Sequence, residues 1–149
     1  MILDERGEFM DATSIINATG LLLIGDVIDL GVARNVGSPP RPIYLVIQVD
    51  TAVLAAGGAS EVQFTLASDA QAAIAVDGTA TVHWRSGAIP KASLVAGFTM
   101  AIPLPGVKPD YERFLGVLVA ITTFAVTAGK INAFLTHDPK QWKALPDGL

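Results

Sequence analysis

Short runs of β-branched and other apolar residues, each closed by Gly, Pro, Asn or Asp, recur through most of this chain, and helical periodicity between them is scarce. A chain punctuated this often must bury its apolar side chains on pleated strands. Glu61 to Leu66 is the clearest case: Val62, Phe64 and Leu66 fall on one face and polar residues on the other, the period of two of a half-buried strand. A slip of one residue would expose all three. Ile43 to Val49 follows the prolines 39, 40 and 42 and is apolar on both faces, as a central strand or one covered by a partner would be. Ala73 to Val76 and Thr79 to Arg85 flank Asp77-Gly78, a pair suited to the positive φ of a two-residue turn, and read as a hairpin. In it Val82 and Trp84 would share one face, Thr81 and His83 the other. Val27 to Leu30, Phe98 to Ile102, Phe114 to Thr123 and Lys130 to Thr136 complete the set, the last two joined across Thr127-Ala128-Gly129.

About eight strands with Gly and Pro turns and no alternating helices imply an all-β fold, a jelly-roll-like β-sandwich with extended N- and C-terminal arms. The one helix candidate, Asp11 to Leu23, is rich in β-branched residues and interrupted by Gly20, so an extended arm serves equally. No internal repeat is evident, and 149 residues suit one core. The expected organisation is a single domain over 1–149: an N-terminal arm or first strand over 1–25, a jelly-roll core over 26–136, and a tail over 137–149.

Hydrophobic residues make up 51% of the sequence and charged residues 16%, against about 25% charged in ordinary domains, so much of the surface is apolar or small. Such a composition favours a protein that lives against neighbours. A net charge of −4 gives no electrostatic reason to bind nucleic acid. With no cysteine, a disulfide framework, a thiolate metal site and a Cys nucleophile are excluded together. The acidic start is unlike a signal peptide, and the uncharged window between Arg113 and Lys130 falls short of the roughly 20 residues of a spanning helix. No membrane association is expected. Asn17-Ala18-Thr19 matches a glycosylation acceptor and, with no secretory signal, is read as a chance match.

Residues that could carry chemistry are few. His83 sits mid-strand beside Trp84, without a second histidine nearby, and reads as a packed or solvent-facing polar residue. His137 and Asp138 point apart on an extended chain, and Pro139 marks a strand-ending turn. No histidine or cysteine spacing fits a metal site. Asp26 and Asp29, and the acidic run Asp4, Glu5, Glu8 and Asp11, lack the pattern of a calcium loop and read as solvated charge. Gly57-Gly58 and Gly87 fall in turns, not in a phosphate cradle. We therefore expect no enzyme, no cofactor and no metal. Phe64, Trp84, Phe98 and Phe134 read as core, whereas Trp142, between Lys140 and Lys143, either folds back on its own sandwich or anchors a partner.

The order and spacing of several segments resemble the Bbp16-like family of bacteriophage capsid cement proteins. They are Met1 to Asp4 with Phe9 to Ala12, Asp26 to Gly31, Ile89-Pro90 with Leu94 to Gly97, Leu104-Pro105, Tyr111 to Leu115, and Thr136 to Pro139 with Trp142. The stretch from Arg34 to Pro42 and the turn from Gly57 to Ser60 depart from that likeness. The resemblance implies a jelly-roll subunit that oligomerises, as a dimer first and a trimer second, on the outer face of an HK97-like shell. Its partner would be the major capsid protein, and its place the outer surface of a virion made in the host cytoplasm. Phe9, Met10, Trp142 and Leu145 are the expected protein–protein contacts. The alternative is a receptor- or carbohydrate-binding module of a phage tail or fibre; an enzyme on a sandwich scaffold is the third reading.

Overall fold

Among the described residues ten strands fall in chain order: β1 (Glu8–Ser14), β2 (Gly20–Leu23), β3 (Ile28–Asp29), β4 (Tyr44–Ala55), β5 (Glu61–Asp69), β6 (Thr81–Arg85), β7 (Ile89–Pro90), β8 (Thr99–Pro103), β9 (Phe114–Thr122) and β10 (Val126–Thr136). The computed structural model describes residues 5–36, 41–106 and 109–141. All the strand pairings are antiparallel, and they form a four-stranded sheet in the order β1-β10-β4-β8 and a six-stranded sheet built on β2-β9-β5-β6. In the second sheet β3 continues β2 along β9, and β7 continues β6 along β5. Counting each of these as one broken strand gives eight positions, and the sheets read 1-8-3-6 and 2-7-4-5. First pairs with last, second with seventh, third with sixth and fourth with fifth, the nested winding of a jelly roll.

The period-two patterns decide which faces meet. Val62, Phe64 and Leu66 of β5 and Leu115, Val117, Val119 and Ile121 of β9 point inward, against Leu45, Ile47 and Val49 of β4 and Ile131 and Ala133 of β10. Each residue is buried, so the two sheets share one core. The outer faces are covered as well. Ala67 and Leu118, on the outside of the second sheet, pack with Ile74 and Ala80 of the long β5–β6 connection and with Leu21, Leu23 and Val27. Gly116 lies under this flap: a Cβ there would stand 2.6 Å from Ile74 Cδ1. Val46 and Gln48, on the outer face of β4, are also buried, in line with a strand apolar on both sides.

Several boundaries differ from the sequence reading. Asp77-Gly78 does form a turn, with Asp77 Oδ1 accepting from the Thr79 amide at 3.0 Å and Gly78 at φ +95. Ala73 to Val76 is not a strand, however, and β6 pairs with β5. Thr127 to Gly129 lies inside β10, and β9 and β10 belong to different sheets, linked through 123–125. Of the segment expected as an arm or first strand, the described residues 5–25 form β1 and β2, and Phe9, Met10, Ile15 and Ile24 enter the common core.

One close approach ties the start of the chain to the rest. Gly25, at φ +83, brings the Asp26 amide to the Phe9 carbonyl at 2.6 Å. A Cβ at Gly25 would collide with that carbonyl and come within 2.6 Å of Met10 Cγ, in a conformation an L side chain resists. Gly25→Ala is expected to lower stability by about 1–3 kcal/mol. Gly58→Ala, where a Cβ meets nothing within 4 Å, should stay within about 0.5 kcal/mol of the parent. Urea unfolding of both variants checks the contrast.

Candidate interaction surface and a buried polar cluster

Among the described residues, a constellation with the composition of a catalytic site lies where β5, β6 and the β8–β9 connection meet. Residue pairing steps from Leu66 with Trp84 to Ala67 with Val82, which leaves His83 as the extra residue of a bulge. The bulge reverses the expected faces. Trp84 packs on the main core, Val82 is exposed, and His83 is buried with its Nε2 2.7 Å from Ser68 Oγ. The imidazole stacks on the Tyr111 ring with centroids 3.8 Å apart and planes at 8°.

A serine, a histidine and a glutamate are thus neighbours, but their hydrogen bonds are those of a clasp. Ser68, at 0% exposure, accepts the Glu112 backbone amide at 3.0 Å, and the Glu112 carboxylate accepts the Thr81 hydroxyl at 2.6 Å. The Tyr111 hydroxyl donates to the Pro105 carbonyl at 2.8 Å. As placed, the Ser68 hydroxyl meets no solvent, and the carboxylate reaches Thr81, not the ring. The group fastens the 104–113 connection to the second sheet.

Nearby, Arg113 grips Asp29 through two bonds of 2.9 and 2.8 Å, joining β3 to the start of β9. The Arg113 guanidinium and the Gly31 amide hold the Asp29 carboxyl at about 2. The pair is exposed and solvent screens it. Among the described residues, no group of three or more His, Asp or Glu is placed to hold a metal ion.

Of the residues expected to touch a partner, Phe9 and Met10 are fully buried in the chain's own core. Both face inward from β1, where a register shift between Glu8 and Met10 breaks the alternation that would otherwise send neighbouring side chains to opposite faces, and as placed neither side chain is exposed. Trp142 and Leu145 lie outside the described residues.

Seven large apolar side chains are exposed among the described residues. Val32 (61%), Val76 and Val82 lie in the β3–β4 connection, the β5–β6 connection and β6; the other four, Ile16, Leu54, Val95 and Phe124, are 56, 56, 54 and 43% exposed. Backbone pairing brings them to one end of the sandwich: Asn17 bridges Val126, Leu54 faces Ala128, Val53 bonds to Leu94, and Ala56 bonds to Ala125. The connections at this end, 15–19, 56–60, 86–88, 91–98 and 123–125, contain one charged residue, Lys91, whose Nζ donates to the Ala55 carbonyl at 3.3 Å. Connections at the opposite end carry Asp26, Arg34, Arg41, Asp77, Asp110, Glu112 and Arg113.

Phe124 is the most constructed feature of the charge-poor end. Its ring lies against Gly57, where any Cβ would strike it. The buried Ser60 hydroxyl donates to the Phe124 carbonyl at 2.8 Å, and the preceding Thr123 is held at φ +71, unusual for a β-branched residue. Sequence reading missed Phe124 because it placed the link between these strands at Thr127 to Gly129; Gly57 and Ser60 acquire meaning only once β4–β5 and β9–β10 are known to meet.

Fold and surface together define a small jelly-roll subunit whose distinctive features are a clasped, charged end and an apolar one. The Bbp16 family model matches residues 11–135, from the middle of β1 to the last turn of β10, and the chain belongs to this family. Bbp16 is a phage-associated family, which makes this a phage-related structural protein of the virion. No curated protein matches the chain.

The buried cluster predicts how stability responds to pH. Burial pushes His83 below its ordinary value, with Glu112 and the Pro109 carbonyl offsetting part of the effect. The unfolded chain then binds the proton first. The stabilisation from neutral His83 is complete above about pH 6.5 and is lost as pH falls through the lower folded-state value. Tyr111 behaves oppositely: burial pushes its phenol up to about 12. Its contribution is complete below about pH 10 and is lost as pH rises from there towards 12. Melting temperatures from pH 4 to 11.5 should fall at both ends, and Tyr111→Phe should flatten the alkaline fall while leaving the acid one.

Proposed function

We propose that this chain is a cement, or decoration, protein of a tailed bacteriophage. It binds the outer surface of an HK97-like capsid and stabilises contacts between major capsid proteins, without catalysis, cofactor or nucleic acid. The observation that carries this reading is the Bbp16 match, which runs through nearly the whole sandwich and not through one loop or motif.

The structure is suited to such work. Most of the apolar surface is spent on one continuous core and its outer coverings, so the subunit arrives rigid and loses little entropy on attachment. Adhesion over many symmetry-related sites needs only a modest contact at each, since linked contacts multiply. Self-association as a dimer or trimer would raise that avidity further.

Purified protein should co-sediment with expanded shells that lack it, saturate at a fixed ratio to the major capsid protein, and raise the particle's melting temperature. Failure to bind, together with specific binding on a glycan array, would move the assignment to a receptor-binding module.

A further inference from the structure

We propose that the subunit stands end-on, seating its charge-poor end on an apolar, uncharged surface of the shell, with the Phe124 ring as central anchor. The proposal rests on the cement reading and adds the surface that makes the contact.

Charge selects the end. A surface bearing carboxylates must lose their hydration or find cations when it is covered, at a cost that pairing does not reliably recover. The connections around Ile16, Leu54, Val95 and Phe124 keep that cost low: their single charge, Lys91, is already turned back to the Ala55 carbonyl, and Glu61, at the start of β5 opposite Thr122, is the carboxylate beside them. The complement of such a surface is itself apolar and uncharged. With the net charge at −4 and Asp26, Asp77, Asp110 and Glu112 at the far end, end-on seating leaves carboxylates facing water. A decorated particle then presents a charged, soluble exterior. Two copies joined through these same ends would consume the surface and leave the shell the far end, where exposed Val32 and Val76 stand among charged residues.

Rigidity selects the anchor. Binding energy concentrates in aromatic side chains held in place before contact. Phe124 is held on three sides: the ring by Gly57, the carbonyl by Ser60, and the backbone by the positive φ of Thr123. Backbone strain of this kind persists where surrounding structure enforces it and tends to gather at functional positions. Phe124 would be simpler to build as a polar turn residue if it only closed a loop.

The test compares Phe124→Asp and Leu54→Asp with Val82→Asp, a control on an exposed apolar residue of β6 away from this end. The full-length chain is used throughout, its folding checked by circular dichroism and melting temperature. Phe124→Asp should weaken co-sedimentation with expanded shells by at least about tenfold, and Val82→Asp should leave it within about twofold. If Phe124→Asp does not fold, Leu54→Asp decides by the same criterion. Equal binding of the parent and a folded end variant would overturn the end-on contact and leave the cement reading intact. Light scattering that shows a parent dimer dissociated by Phe124→Asp, with shell binding retained, would assign this end to a second copy and overturn the proposal as well. A parent that binds no shell would overturn both.

Discussion

Everything in this molecule depends on two central ladders, β10 with β4 and β5 with β9, burying their inward residues against each other. Each ladder is long and fully antiparallel, and their apolar residues alternate where the sheets face, with register shifts confined to the Val126–Ile131 part of β10. Because the winding is nested, no local hairpin can form this core alone; even β1 finds its partner at the far end of the chain, in β10. Stability is therefore cooperative, and its parts are held by long-range contact. Phe9 and Met10 illustrate this, closing a core to which residues more than a hundred positions away contribute.

Where the sandwich cannot be closed with apolar side chains, polar ones take over locally. The β8–β9 connection crosses the charged end and is secured by Ser68, His83, Tyr111 and Glu112, each bonded or stacked to another. At the other end the short β9–β10 link is secured by Ser60 and Gly57, and the result is an exposed aromatic. The same task of closing a jelly roll thus yields two ends of different character: one polar and clasped, the other nearly free of charge.

The strand content and the inward residues of β5 were legible in the sequence because a period of two is a local signal, readable wherever one face is buried. Pairing was not. Asp77-Gly78 carries the strongest turn chemistry in the chain, yet the segment before it folds over Gly116 as a flap, since the partner of β6 was already present in β5. The bulge at His83 was likewise unreadable, because it exists only relative to the register of the opposing strand. Phe9 and Met10 looked like anchors of an arm because β1 is short and charged at its start; burial against distant strands turned them inward. The apolar end could have been suspected from the absence of charge in 54–60 and 122–129, but only topology brings those segments together with 15–19 and 91–98.

A phage-associated family, a jelly-roll sandwich and a pronounced difference between its ends support the proposed account, in which a structural subunit adheres to a shell through a small preorganised surface. The most direct measurement is a cryo-electron-microscopy map of the mature particle at a resolution that traces strands. The account predicts density for this sandwich on the outer face of the shell, with the 123–125 link towards the major capsid protein and the 70–80 flap towards solvent. Density for the chain at the tail or fibre instead, with none on the shell, would contradict it.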